Sequence, residues 1–193
     1  MSQDHSTPSS LDRLTALAPP PSPAEPPDWK EPERAAAADW APVEAALHRE
    51  LPPDYKELVD TYGSGAFCGY IELLVPADVR KRYDIVEFND GRSDFAAEIW
   101  EEDEKPHEFS ADLGYELIAW AKTIDGDTLN WLAHADQKPG TWRTLLASRD
   151  LAEAWEHHDA PTTTVLLGLL TGEFTSDIVT PGLSTVTFQQ YTT

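Results

Sequence analysis

LPPDYKELVDTYGSGAFCGYIELLVP, residues 51–76, reads as a capped helix, a glycine stop and a strand that carries the chain into a sheet. Pro52 and Pro53 suit the first helical turn, where the N–H they lack has no intrahelical partner. Tyr55, Leu58, Val59 and Tyr62 fall at i, i+3, i+4 and i+7, one apolar face of a helix. Asp54 and Glu57 put negative charge near its positive end. Gly63 and Gly65 bracket Ser64 where the helix must stop, and glycine takes the left-handed conformation of a helix end at least cost. Phe67, Tyr70, Ile71, Leu73, Leu74 and Val75 follow as one strand, ended by Pro76. Nothing in the stretch has the pattern of a catalytic motif.

Working back toward the N-terminus, Asp39 can cap a helix from Trp40 toward Arg49, with Pro42 tolerated in its first turn and Trp40, Val43 and Leu47 on its apolar side. Trp40 suits a core anchor; a ligand platform is the alternative. Residues 1–33 change character. Leu11, Leu14 and Leu17 can face one side of a short helix, but Pro19, Pro20, Pro21, Pro23, Pro26, Pro27 and Pro32 follow. Such a run favours extended polyproline conformations and supplies no core, so residues 1–33 are expected to form a flexible proline-rich arm. A ligand for a proline-recognition module is the other use of such a segment.

Downstream, residues 78–108 have mixed periodicity. Asn89-Asp90-Gly91 marks a turn, and Phe95, Ile99 and Trp100 sit in a helix-like acidic segment that ends before Pro106. Over residues 84–116 twelve acids face only Arg92 and Lys105, a net of −10 within a chain total of −21. Residues 115–124 and 128–132 read as two strands joined at Asp125-Gly126, a strong hairpin signal. Residues 141–147 give a further strand after the Lys138-Pro139-Gly140 turn. Residues 151–157 suit a short helix, and Thr162, Thr163 and Thr164 offer N-caps for an apolar helix over 165–170 stopped near Gly172. The tail, residues 174–193, is read as an extension that either adds a strand or runs over the surface. The fold class is therefore α+β: a central antiparallel sheet, N-terminal helices and a closing C-terminal helix, all within a domain over residues 34–173.

The totals bound what such a chain can do. Its 193 residues suit one well-buried domain and leave little room for a second. A net charge of −21 argues against nucleic acid and anionic membranes as direct ligands, since both need a basic surface. It favours steering toward a basic protein partner. Cys68 is the one cysteine, so no internal disulfide forms, and a buried small thiol is its expected role. MSQDHSTPSS shows no secretory signal, and the apolar run 165–170 falls far short of the roughly 20 residues a membrane helix needs. The expectation is a soluble, cytoplasmic protein.

No motif for chemistry stands out. Asp125 and Asp127 could share a metal or flank a glycosidic bond, but a hairpin turn explains their spacing as well. His157-His158-Asp159 invites a metal reading without an accompanying HExxH or CxxC. Gly63-Ser64-Gly65 lacks the third glycine of a phosphate loop, and there is no GxSxG. No catalytic residue, cofactor or metal ligand is assigned.

Several short matches in order resemble the SUKH superfamily. These are Trp40 with Leu51-Pro52-Pro53-Asp54-Tyr55, the Tyr62-Gly63-Ser64-Gly65 stop, and Leu74-Val75-Pro76. Ile124-Asp125-Gly126-Asp127-Thr128-Leu129 is similar to that family's central hairpin, and residues 163–170 to its closing helix. The resemblance spans roughly residues 35–173. It implies an α+β domain without enzymatic activity. Bacterial members are commonly immunity proteins that bind and block a cognate polymorphic toxin, often a nuclease or deaminase. Other members are regulatory protein-binding modules, which is the alternative here. The proline-rich arm and the long acidic region lie outside the family's pattern. A nuclease site is basic because it holds phosphates, so an acidic surface can imitate its substrate. The expected partner is accordingly a cognate, basic toxin. The expected contact residues are Asp94, Phe95, Glu98, Trp100, Glu101, Glu102, Asp103 and Glu104, with Phe95 and Trp100 as aromatic anchors unless they belong to the core.

Overall fold

The computed structural model describes residues 7–21, 38–102, 105–110, 113–149, 151, 154–180 and 185–191. In chain order its elements are α1 (Ser10–Leu17), α2 (Trp40–Ala46), α3 (Pro53–Tyr62), β1 (Gly65–Phe67), β2 (Ile71–Leu73), α4 (Ile85–Asn89), α5 (Arg92–Glu102) and α6 (His107–Ser110). There follow β3 (Tyr115–Thr123), β4 (Thr128–His134), β5 (Thr144–Ala147), β6 (Trp155–His158), α7 (Thr162–Thr171) and β7 (Phe188–Gln190). The fold is α+β. One antiparallel sheet has the order β6-β5-β4-β3-β2-β1-β7, so neighbours in sequence are mostly neighbours in space.

The sheet is covered on both faces, and the alternation of β4 shows how. Leu129, Trp131 and Ala133 enter the larger core, while Leu132 enters a smaller one. A central strand enclosed on both sides reads as an apolar run. The larger core gathers α1, α2, α3 and α7. Tyr55 packs edge-on against Trp131 with centroids 4.8 Å apart, and its hydroxyl donates to the Leu74 carbonyl. The Trp131 indole N–H donates to Thr162 Oγ1 at 3.0 Å, tying β4 to α7. The smaller core lies under α5: Ala96 and Trp100 meet Leu117, Leu132, Leu145 and Leu151. Each large apolar side chain fully buried in these layers contributes about 1.5–3 kcal/mol.

Several expectations are corrected. The strand foreseen over residues 67–75 is two strands. Cys68 and Gly69 both have positive φ (56° and 62°), the Tyr70 N–H donates to the Phe67 carbonyl at 2.9 Å, and the chain reverses between β1 and β2. Cys68 thus sits half-buried at a turn, not in the core. Helix α2 ends at Ala46, short of Arg49, where His48 takes φ 52°. Of the short helix expected over residues 151–157, residues 152–153 lie outside the described residues, and Leu151 and residues 154–157 are not helical. Leu151 has φ 62°, and Trp155–His158 pairs with β5 because the open sheet edge satisfies its backbone groups. None of Thr162, Thr163 and Thr164 caps α7. All three lie within it, and the Asp54 carboxylate of α3 accepts from Thr163 N (2.8 Å) and Thr163 Oγ1 (3.1 Å) instead.

Described parts of both expected appendages join the domain. Residues 22–33 and 1–6 of the expected arm lie outside the described residues, but residues 10–17 form α1. Ser9 and Asp12 close a capping box at its start, Leu14 is fully buried, and the Tyr62 hydroxyl donates to the Ala18 carbonyl at 2.7 Å. The tail supplies β7, which pairs with β1, and its Val179 is buried in the larger core. The packed unit therefore extends past both expected boundaries, residues 34 and 173.

Candidate functional site

Helix α5 sorts the expected contact residues by its 3.6-residue period. Arg92, Ala96 and Trp100, at i, i+4 and i+8, face the sheet; Asp94, Glu98 and Glu101, at i, i+4 and i+7, face solvent. Phe95 lies beside this acidic stripe and is 49% exposed. Among the described residues none of Asp94, Glu98 and Glu101 is in an ion pair, although the same chain pairs many of its other acids. Glu102 closes the helix, and Asp103 and Glu104 lie outside the described residues.

Trp100 is not an anchor for a partner. It is 4% exposed, its indole N–H donates to the Leu151 carbonyl at 2.6 Å, and its ring meets Phe109 at 4.8 Å. Of the two expected aromatic anchors, only Phe95 is available. The period-3.6 pattern already distinguishes them: position 100 continues the face of Ala96, and position 95 does not.

Much of the remaining acidic run is structural. Asp84 caps α4, accepting from the N–H groups of Val86 and Glu87 at 2.9 Å each. Glu87 pairs with Lys81 at 2.7 Å and Glu116 with Arg49 at 2.6 Å. Glu108 is buried against Arg143, with His157 Nδ1 at 3.8 Å. Burial works to raise its pKa, but its own helix N–H, His157 and Arg143 together hold it below the usual carboxylate range. Arg92 is the contrasting case. Burial brings its guanidinium down to about 10, and its partners are the Thr128 hydroxyl at 2.7 Å and the face of Phe88. Among the described residues of the run, the exposed acids outside any ion pair are therefore Asp90 and the three on α5.

Next to the stripe lies a groove of 370 Å3 between α5, α6 and β3, lined mainly by Ala96, Ala97, Trp100, Phe109, Tyr115 and Leu117. No motif in the sequence marks it. Its one local signal was the small residues Ser93, Ala96 and Ala97 at i, i+3 and i+4, because the opposing walls come from elements far along the chain.

The other candidates do not assemble a reaction centre. Asp127 serves the β3–β4 turn: its carboxylate accepts from Thr123 Oγ1 at 3.0 Å, and Gly126 takes φ 99° between it and the exposed Asp125. His157 and His158 are consecutive on β6, so they point to opposite faces. His158 stacks on Phe174, and burial lowers its pKa against the pull of Glu156. Among the described residues no three His, Cys, Asp or Glu side chains are placed to hold a metal ion, and no helix is long and apolar enough to cross a membrane. Searches against protein-family models, curated proteins and solved structures find no match to this chain.

Proposed function

We propose that the chain is an immunity protein that binds a cognate, basic toxin domain, such as a nuclease, and neutralises it through the acidic face of α5. The observation that carries this reading is the stripe of Asp94, Glu98 and Glu101, exposed and free of internal ion pairs among the described residues, beside the half-exposed ring of Phe95. Free carboxylates on a rigid helix, in a chain of net charge −21, speed encounter with a basic partner. An aromatic side chain among them supplies the desolvated contact that charge alone does not. The binding is non-enzymatic and uses no cofactor.

A secreted basic toxin domain encoded beside this chain is the partner to test. Its association rate is expected to fall at least about tenfold between low and high salt, as the Debye length shrinks from about 30 Å to about 3 Å. Replacing Asp94, Glu98 and Glu101 together by Lys is expected to abolish protection while leaving the melting temperature within a few degrees. Affinity that ignores both salt and the triple replacement rules out the α5 face.

A further inference from the structure

The 370 Å3 groove flanking α5 falls in the lower part of the roughly 300–1,000 Å3 range of small-ligand sites. Its walls are mainly apolar, with Ala97 and Trp100 from α5, Phe109 from α6, and Tyr115 and Leu117 from β3, and Ser93 adds a hydroxyl at one end. Trp100 has already committed its N–H to Leu151, so its contribution to the wall is ring surface. The rim carries the exposed Glu101, with Glu98 and Asp94 on the preceding turns of the same helix. An aromatic-walled slot with the Glu101 carboxylate at its rim fits a methylene stem that ends in a planar cation.

We propose that the groove is the pocket for one arginine side chain presented by a basic protein partner, which rests on the reading of α5 as the partner-binding face. Arginine fits better than lysine, because a guanidinium is weakly hydrated, stacks on aromatic rings and bridges a carboxylate through two N–H bonds. Lys105 is the one cation among the lining residues. It is exposed, and its long stem lets the ammonium turn to water as the guanidinium enters.

The test is an NMR titration of the 15N-labelled full chain with acetyl-Gly-Arg-Gly-amide, alongside the same peptide carrying citrulline, the neutral isostere. The arginine peptide is expected to move resonances concentrated at residues 93–101 and 115–117. The citrulline peptide should bind about five- to tenfold more weakly, the size of one exposed ion pair with a cation–π contact. Ala97→Trp, which fills the groove from an exposed position, should remove the response. Glu101→Gln should weaken the arginine peptide alone, by about fivefold, without touching the core. Equal responses to arginine and citrulline, shifts spread over carboxylates away from α5, or an unchanged response in Ala97→Trp each overturn the pocket. A toxin that binds Ala97→Trp as tightly as the unaltered chain also overturns it, yet leaves the immunity reading in place. An arginine peptide that seats in the groove of a chain protecting against no toxin leaves the pocket standing and ends the immunity reading.

Discussion

Asn89 shows what a single side chain does here that its place in an Asn-Asp-Gly turn does not announce. Strand β2 ends at Leu73, so on the side away from β4 the edge of β3 at Ala119 has no strand beside it. The Asn89 amide fills the gap: Ala119 N–H donates to Asn89 Oδ1 at 2.8 Å, and Asn89 Nδ2 donates to the Ala119 carbonyl at 2.9 Å. Asn89→Ala strands both backbone groups, and urea unfolding is expected to show a loss of about 2–4 kcal/mol. Asp78 sets part of the acid limit. Burial raises its pKa, but the bonds from Arg80 and Ser64 outweigh this and bring it to about 2, from an ordinary 3.8. Because the folded value is the lower one, the stability it contributes is full above an ordinary carboxylate pKa and is lost as pH falls toward 2. Asp78→Asn should therefore narrow the difference in urea midpoint between pH 5 and pH 2. An unchanged difference would show that other carboxylates govern the acid limb.

At the scale of elements, β7 rests on Gly65. Read from sequence, Gly65 is half of a helix stop. In the fold Gly63, at φ 69°, ends α3, and Gly65 lies in β1, where a Cβ would overlap the Gln189 carbonyl and the Phe188 ring. Only glycine lets the C-terminal strand approach so closely. Tyr191 adds a second hold. Its hydroxyl donates to Glu72 at 2.6 Å, and burial, joined by this bond, pushes its own pKa up, while Tyr83 and Lys122 hold the same carboxylate. Gly65→Ala is expected to release β7, seen as lost amide-exchange protection at residues 188–190 with protection in β3 and β4 retained. Helix α7 has a similar tight spot, since a Cβ at Gly168 would come within 2.6 Å of the Phe174 ring.

The molecule as a whole carries an excess of 21 negative charges on a fold whose two cores are closed by apolar packing. Self-repulsion then opposes compactness, so adding NaCl from about 10 to 150 mM, which cuts the Debye length from about 30 to 8 Å, is expected to raise the melting temperature. A fall would mean that the exposed ion pairs outweigh the repulsion. The sequence by itself determined the elements whose signal is local. Helix α3 follows from its apolar face, the β3–β4 hairpin from Asp125-Gly126, and the acidic helix from its composition. Those signals need only the few residues around them. Tertiary structure alone decided which acids remain free, because pairing Glu108 with Arg143 or Glu116 with Arg49 joins residues 35 and 67 positions apart. It likewise decided that Trp155–His158 is a strand, that the tail adds an edge strand to the sheet, and that α1 belongs to the core. Each of these gains its stability from a partner far along the chain, and no local window of sequence contains that partner.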